Sequence, residues 1–444
     1  ENPEIVFGTY ISGRDVGDPN PVVYPPIGID KKWFPPETWV SDTSPWPPEP
    51  SQRMVDLSLP EVRELMTRMI VQSLEQSNRP DVHLDCMNHW VNGDRVNNDS
   101  RAVSWDIISG YLAGLKEELN ARGIRLIPNI AWQSEGDWCV ARETNMDDIR
   151  SLVRSVDGAM FETGFLPSIW KNYSSGAFRS NQEVLANLQH AFDVYRLMLG
   201  GYEDSATGEH VSGIEVTMVP FEVDLATYSA LPAEQAKAVD QMEAAWAMMV
   251  RNPGDKIWVS YNYYENAPEW VNWPGQFGAP LEEAVFEDRG SDGVWVSRKF
   301  ENGILRFKFN ESVSSDLPLV EAVVYKDQLE KQSPEIVNAE LDKYFGDGEF
   351  RFSSFGEPRK SEEGYWSVSG DIVNSKGEVF AGGLELKFEF QGTEIVLREF
   401  KTVSDAIERE IEGEALKGYL SAERDAYQAF LGGEDLAAYP MTGR

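Results

Sequence analysis

The chain has 444 residues, more than one ordinary hydrophobic core accommodates, so we expect two or three domains. Hydrophobic residues make up 41% of the chain and aromatic residues 11%, which is enough for packed globular domains. The 74 acidic and 40 basic residues give a net charge of -34, which argues against nucleic acid as a partner. Because the sequence contains no apolar run of about 18 residues, we expect no membrane insertion.

Cysteine and histidine are scarce. The two cysteines, Cys86 and Cys139, allow one disulfide bond at most, and a bond between them and two separate thiols are equally open. The four histidines show no metal-ligand spacing, so we expect neither a metal site nor a cofactor. A cysteine nucleophile is disfavoured because neither thiol is accompanied by a protease-like set of partner residues.

From the N-terminus to about residue 290 the sequence repeats one unit, in which a short β-rich run is followed by polar residues and a helix. The predicted strands cover residues 4–12, 54–58, 81–86, 124–132, 157–165, 211–223 and 255–266. The predicted helices cover residues 58–78, 104–123, 145–156, 180–201 and 232–254, with Ser58 and Ser104 as candidate N-caps. This alternation implies parallel βαβ units and suits a TIM-type (β/α)8 barrel. The competing fold is a doubly wound open sheet, but no Gly-rich phosphate loop follows the first strand.

After about residue 290 the hydrophobic period changes to two. Residues 293–309 are predicted to form a hairpin that turns at Glu301-Asn302-Gly303, because Asn-Gly is the strongest hairpin dipeptide. The predicted domains are a barrel (1–290), a β-hairpin extension (291–333), a small α+β domain (334–402) and a C-terminal amphipathic helix with a tail (403–444). This C-terminal region is a candidate for docking within the chain or for self-assembly between copies.

Five stretches follow one another along the first 310 residues: VDLSLPEVRELM, PDVHLDCMNHW, LIPNIAW, DGAMFETGF and VSRKFENGILRFKFNES. In this order they resemble segments of a family of glycoside-hydrolase-like (β/α)8 barrels that includes the polygalactosaminidase-like enzymes. The family segments are DLSxPEVR, DG(V/I)(F/H)LD, a strand ending in Asn, a strand ending in Glu, and RxFENGxVxVNPS. The chain departs from this pattern at Val82, where the family has Gly, and at Phe309 and Glu311, where it has Val and Pro.

The resemblance covers about two-thirds of the chain and implies a glycosidase barrel that leads into a β-rich appendage. It aligns residues 2–10 with the second strand of the family's barrel. The first strand of the expected barrel is then either absent from this sequence or supplied otherwise, and closure of the barrel stays open.

Two acidic residues are the predicted catalytic pair. Active sites of (β/α)8 barrels lie at the carboxyl ends of the strands, where Asp85 and Glu162 each end a predicted strand. Glycosidic cleavage uses two carboxyl groups, one protonating the leaving oxygen while the other attacks or activates water. We predict Asp85 as nucleophile or base and Glu162 as acid, its pKa raised by walls of Phe161, Phe165 and Trp132. The reversed assignment stays open, as does a purely structural role for either acid.

The predicted substrate-binding residues are polar or aromatic residues at strand ends or in the loops that follow: Asn129, Trp90, Trp132, His89, Glu135, Tyr263 and Glu265. Pyranose rings present C–H faces that stack on aromatic rings, so an aromatic-lined mouth suits a glycan. Glu135 is the main substitute for the acid, and Glu222 and Glu265 are lesser candidates. Glu215 alternates within its strand and is predicted to be structural.

Three functions are compatible with these residues. The first is an enzyme that hydrolyses glycosidic bonds of a polysaccharide outside the cell or at its surface. The alternative is a non-catalytic protein that binds glycan or takes part in a cell-surface or virion assembly, since barrels serve many functions. A polysaccharide lyase is a weaker third candidate, because it needs basic residues to hold uronates and Arg95 and Arg101 are the nearest.

Overall fold

The structure is a computed structural model, and it describes residues 8–12, 15–17, 29–30, 34, 53–74, 80–85, 87, 89–90, 104–130, 132–134, 137–138, 145–161, 179–220, 223–224, 229–230, 232–260, 272–309 and 319–413. It divides into two compact units. The first comprises Glu1–Glu301 with Leu305–Glu321, and the second comprises Asn302–Ile304 with Ala322–Arg444.

The secondary structure alternates between strands and helices up to about residue 260. The strands are β1 (Gly8–Ser12), β2 (Asp15–Gly17), β3 (Ile29–Asp30), β4 (Arg53–Met54), β5 (Asp81–Asp85), β6 (His89–Trp90), β7 (Arg125–Pro128), β8 (Trp132–Ser134), β9 (Asp137–Trp138), β10 (Gly158–Phe161), β11 (Tyr202–Glu203), β12 (His210–Val211), β13 (Glu215–Met218), β14 (Val223–Asp224), β15 (Ser229–Ala230), β16 (Ile257–Val259), β17 (Val285–Asp288), β18 (Val294–Phe300), β19 (Gly303–Phe309), β20 (Leu319–Val324), β21 (Phe350–Ser354), β22 (Arg359–Lys360), β23 (Trp366–Asn374), β24 (Val379–Gln391) and β25 (Glu394–Leu397). The helices are α1 (Pro60–Leu74), α2 (Trp105–Asn120), α3 (Met146–Ser155), α4 (Asn181–Gly200), α5 (Ala233–Val250), α6 (Trp273–Phe277), α7 (Tyr325–Phe345) and α8 (400–413). None of these helices is long and apolar enough to cross a membrane.

The first unit contains parallel strands that are adjacent in chain order. One sheet has the order β1-β5-β7 and another the order β10-β13-β16, with parallel pairing throughout. A parallel bridge between Asn129 and Met160 joins the two, and the Asp157 N–H donates to the Leu126 carbonyl at 3.0 Å. Helices α1 to α5 lie in the successive connections. A doubly wound sheet reverses its strand order at a switch point, and among the described strands this order never reverses.

The structure therefore shows a singly wound parallel α/β layer, as the barrel prediction requires. Closure of that layer into a barrel stays a prediction, because the described strands include no pair that joins β16 back to β1.

One face of this layer packs against the helices. Val82, Leu84, Leu126, Val216 and Met218 are fully buried, at alternate positions of their strands. Parallel strands covered by helices on one side bury such a row of branched and aliphatic residues. The opposite face carries the polar residues of the same strands.

Several helix starts follow from local capping. Ser180 and Glu183 form a reciprocal capping box at the start of α4, and the Asn145 side chain accepts from the Asp147 N–H at 3.0 Å. Ser104 occupies the N-cap position of α2, as predicted, without a side-chain cap bond. Helix α1 begins at Pro60, and proline is favoured at the first helical position. Ser58 therefore lies outside the N-cap position, and its prediction as an N-cap is wrong.

The predicted hairpin is present as β18 and β19, with a turn at residues 301–302. They belong to a four-stranded sheet with the order β17-β18-β19-β20. The predicted strand and turn assignments are confirmed here because period-2 patterning and the Asn-Gly turn agree with each other.

Arg298 of β18 binds the carbonyl groups at the C-terminal end of α5. Its side chain is 1% exposed, and its guanidinium donates to the carbonyls of Met249 and Arg251 at 2.6 Å each and of Glu282 at 2.8 Å, and to the Asn252 side chain at 2.7 Å. Burial lowers the pKa of Arg298 from its ordinary value. A buried cation at a helix C-terminus satisfies carbonyls that have no partner within the helix.

The second unit is built on α7 and an antiparallel sheet. The sheet order is β21-β23-β24-β25, with β22 paired to β23. Its core includes Leu329, Val337, Ile372, Phe388 and Ile407, all fully buried. This arrangement is the α+β module that the sequence predicts.

Helix α7 begins at Tyr325 and runs through Pro334. Residues 325, 329, 333, 337 and 341 are all buried at a spacing of four. This continuous stripe stabilises the helix across the proline, which alone would favour a break.

The predicted C-terminal amphipathic helix is present in part as α8, where Val403 and Ile407 are fully buried. Residues 414–444 lie outside the described part of the chain, so self-assembly through this region stays a prediction.

We expect Arg298→Met to destabilise the first unit by about 3 kcal/mol or more, because several buried carbonyls lose their donor at once. Urea unfolding followed by circular dichroism measures the change. The neighbouring exposed residue provides the control, and Lys299→Ala should change stability by less than about 0.5 kcal/mol. Equal effects of the two substitutions would contradict this role for Arg298.

Candidate active site

The face of the parallel layer opposite the helices carries the polar and aromatic residues of the candidate active site. Strand register places these residues on one face: Asp81, His83, Arg125, Ile127, Asn129, Met160, Glu215, Thr217 and Trp258. They form successive rows from the amino ends to the carboxyl ends of the strands. Asp81 and Arg125 lie in the first row, His83, Ile127 and Glu215 in the second, and Asn129, Met160, Thr217 and Trp258 in the row nearest the carboxyl ends.

An ion-pair network, the floor, lies at the amino ends. Arg125 donates to both oxygens of Asp81 at 2.7 Å and to Glu215 Oε2 at 2.9 Å. Hydrogen bonding to Asp81, first of all, raises the pKa of Arg125 above its ordinary value. The side chains of Asp81 and Glu215 are only 6% and 16% exposed, so both carboxylates depend on this guanidinium. The structural role predicted for Glu215 agrees with this pairing.

Gly158 makes room for the floor. Arg125 belongs to β7 and Glu215 to β13, so the pair spans the intervening strand β10, which carries Gly158 at this level. A Cβ atom on Gly158 would lie 3.1 Å from the Glu215 carbonyl oxygen and 3.3 Å from Ile127. Glycine here therefore allows the Glu215 backbone and the Ile127 side chain to approach β10 closely.

His83 lies two residues above Asp81 on β5, in register with Tyr10 and Ile127. Desolvation by burial lowers its pKa from 6.5, and Arg125 adds to this effect while Asp81 and Glu215 oppose it. The imidazole is therefore neutral at pH 7. It separates the charged floor from the carboxyl edge.

Asp85 is the last residue of β5 and is paired with Ser12 of β1. The Asn129 N–H donates to the Leu84 carbonyl at 2.7 Å, and the Asn129 carbonyl accepts from the Met87 N–H at 3.2 Å. These bonds place the backbone of Asn129, which is 4% exposed, beside the end of β5. The side chain of Asp85 lies outside the described part of the structure.

A small sheet follows the ends of β5 and β7. Its order is β6-β8-β9, with His89 paired to Trp132 and Trp90 paired to Gln133, which also pairs with Trp138. The backbones of three predicted substrate-binding residues are therefore adjacent. Their side chains are not described, so their roles stay predictions.

Several predicted site residues fall outside the described part of the chain: Glu162, Glu135, Glu222, Tyr263, Glu265, Cys86, Cys139, Arg95 and Arg101. Strand β10 ends at Phe161, directly before Glu162. The prediction that Phe161 walls the site is wrong. Phe161 is fully buried on the helix side, with its ring 6.2 Å from that of Tyr195, because it alternates with the site-facing Met160.

The sequence interpretation missed Trp258 and the floor. Trp258 lies within β16 and is 57% exposed. The sequence pattern that could have identified Trp258 is the alternation Ile257-Trp258-Val259, because alternate residues of a strand point to opposite faces. Among the described residues, no group of three or more histidine, cysteine or acidic side chains is arranged to hold a metal ion.

No protein-family model and no curated protein matches this chain. Similar solved structures include Ega3 from Aspergillus fumigatus with galactosamine (14% identity, TM-score 0.28), the glycoside hydrolase domain of PelA from Pseudomonas aeruginosa (13%, 0.30) and an α-amylase from Lactobacillus plantarum (12%, 0.35). The matches cover 52%, 58% and 67% of this chain and 67%, 78% and 66% of those chains, respectively. Similarity at this level establishes neither a shared activity nor a shared substrate.

We expect Arg125→Met to destabilise the first unit by about 2 kcal/mol, less than for a fully buried pair because the guanidinium is partly exposed to solvent. Chemical unfolding measures the loss. The control is Arg122→Met, which breaks a surface pair with Glu118 and should cost less than about 0.5 kcal/mol. A floor that contributed nothing would give equal values for the two variants.

We expect the stability of the first unit to fall as pH drops below 6.5, the ordinary histidine pKa, because His83 has a lowered pKa in the fold and the unfolded chain binds the proton first. This contribution is complete above pH 6.5 and is lost as pH falls through the folded-state pKa. Unfolding at about pH 7.5 and about pH 5.5 should show a smaller difference in His83→Gln than in the native protein. His210→Gln, which changes an exposed histidine, should keep the native difference.

Proposed function

We propose that this protein hydrolyses glycosidic bonds of a polysaccharide, with Asp85 and Glu162 as the carboxyl pair. The observation that supports the proposal is the parallel order β5-β7-β10, in which β5 ends at Asp85 and β10 ends at Phe161, the residue before Glu162 in the sequence. The motifs PDVHLDCMNHW and DGAMFETGF, which resemble the glycosidase family, contain these same two residues.

The spacing of the strands is compatible with such a pair. One strand separates β5 from β10, so their backbones lie about 10 Å apart across a flat sheet, and curvature shortens this distance. Carboxyl groups on strands at this spacing are compatible with the separation of about 5–9.5 Å that glycosidases use.

Asn129, His89, Trp90, Trp132, Glu135, Tyr263 and Glu265 are the proposed substrate contacts. Polymers of this kind lie outside cells, which motivates the proposal of an extracellular or cell-surface location.

We expect Asp85→Asn and Glu162→Gln each to reduce the release of reducing ends by about 100- to 10,000-fold. The substrates are neutral polysaccharides and polymers of amino sugars, since an acidic chain attracts a cationic polymer. The exposed Glu117→Gln in α2 is the matched control and should keep native activity.

Native activity in both pair variants would reject the assignment. Binding of a polymer by the native protein without any release of reducing ends would favour the non-catalytic, glycan-binding alternative.

A further inference from the structure

Trp258 differs from the other tryptophans whose side chains the structure describes. Trp105, Trp246, Trp273, Trp295 and Trp366 are at most 8% exposed, whereas Trp258 is 57% exposed. Single exposed aliphatic residues are common on protein surfaces, but an indole offers the largest apolar area that a side chain can leave in water. This exposure makes the ring of Trp258 available to a flat apolar ligand surface.

The position of Trp258 is defined by strand pairing. It pairs with Thr217, which pairs with Met160, which bridges to Asn129. Paired residues of parallel strands point to the same face, so Trp258 belongs to the carboxyl-end row above the floor. Its neighbours Ile257 and Val259 are partly buried on the other face, so the exposure is not that of a frayed strand end.

The row offers the two kinds of contact that a sugar ring requires. The indole provides a flat apolar surface for the C–H face of a pyranose, and the partly exposed Thr217 places a hydroxyl on the adjacent strand, about 5 Å away. An amphipathic ring with hydroxyl groups around its rim fits a platform with a polar neighbour.

We infer that Trp258 is the stacking platform of a sugar-binding subsite on the β16 side of the proposed cleavage point, an inference that rests on the proposed function for the location of that point. Two strand spacings, about 10 Å, separate β16 from β10. The sugar on Trp258 is therefore a neighbour of the sugar whose bond is cleaved, and Trp258 positions the polymer without touching the reacting atoms.

Affinity electrophoresis in native gels tests the inference. The gels contain hydroxyethylcellulose, galactomannan or soluble, partly deacetylated chitin, and salt is added with the last polymer to screen its charge. We expect at least one polymer to retard the native protein, and Trp258→Ala to weaken that binding about tenfold or more. Trp258→Phe, which keeps a ring, should bind with intermediate strength. Leu281→Ala removes another exposed apolar side chain, 64% exposed, and should bind like the native protein.

Native affinity of Trp258→Ala, or retardation of the native protein by none of the polymers, overturns the inference. Where a bound polymer is also hydrolysed, Trp258→Ala should raise KM with kcat nearly unchanged, whereas a fall in kcat alone would contradict a positioning role. Binding that depends on Trp258 in a protein without hydrolytic activity would refute the proposed function and support the subsite.

Discussion

The ion pairs of Arg125 with Asp81 and Glu215 are the interaction on which the site-facing side of the first unit depends. They connect β5, β7 and β13 across a face that would otherwise bury two unpaired carboxylates. The Arg125–Glu215 pair spans β10, where Gly158 leaves space for the Glu215 backbone and the Ile127 side chain. His83 follows this floor along the strands, and the row of Asn129, Met160, Thr217 and Trp258 lies beyond it toward the carboxyl ends.

The polar residues of the segment VSRKFENG have structural roles. Its arginine, Arg298, satisfies the last carbonyls of α5, and Glu301 accepts from the Ala279 N–H at 3.1 Å. Asn302 offers its carbonyl to the Tyr325 N–H at 2.8 Å. Arg298, Glu301 and Asn302 of this segment therefore each take part in a contact that stabilises the backbone.

The resemblance in sequence and the geometry of the strands support the same proposal by separate routes. The resemblance concerns the sequence at the strand ends, whereas the geometry concerns the order of the strands and the face on which residues lie. Trp258 lies outside the motifs that carry the resemblance and is placed by strand pairing alone. In the proposed function and the inferred subsite, binding and bond cleavage involve different residues of this face.

The sequence alone determined the order of the elements, the hairpin and the α+β class of the second unit, because periodicity, capping residues and Asn-Gly turns act over a few residues. It also indicated the edge at which Asp85 and Asn129 lie. Only the tertiary structure decided that Phe161 faces the helices, that α7 continues through Pro334, and that Asp81, Arg125 and Glu215 meet. These outcomes depend on contacts between residues far apart in the chain, such as Arg125 and Glu215, and local propensity contains no information about which strands will become neighbours.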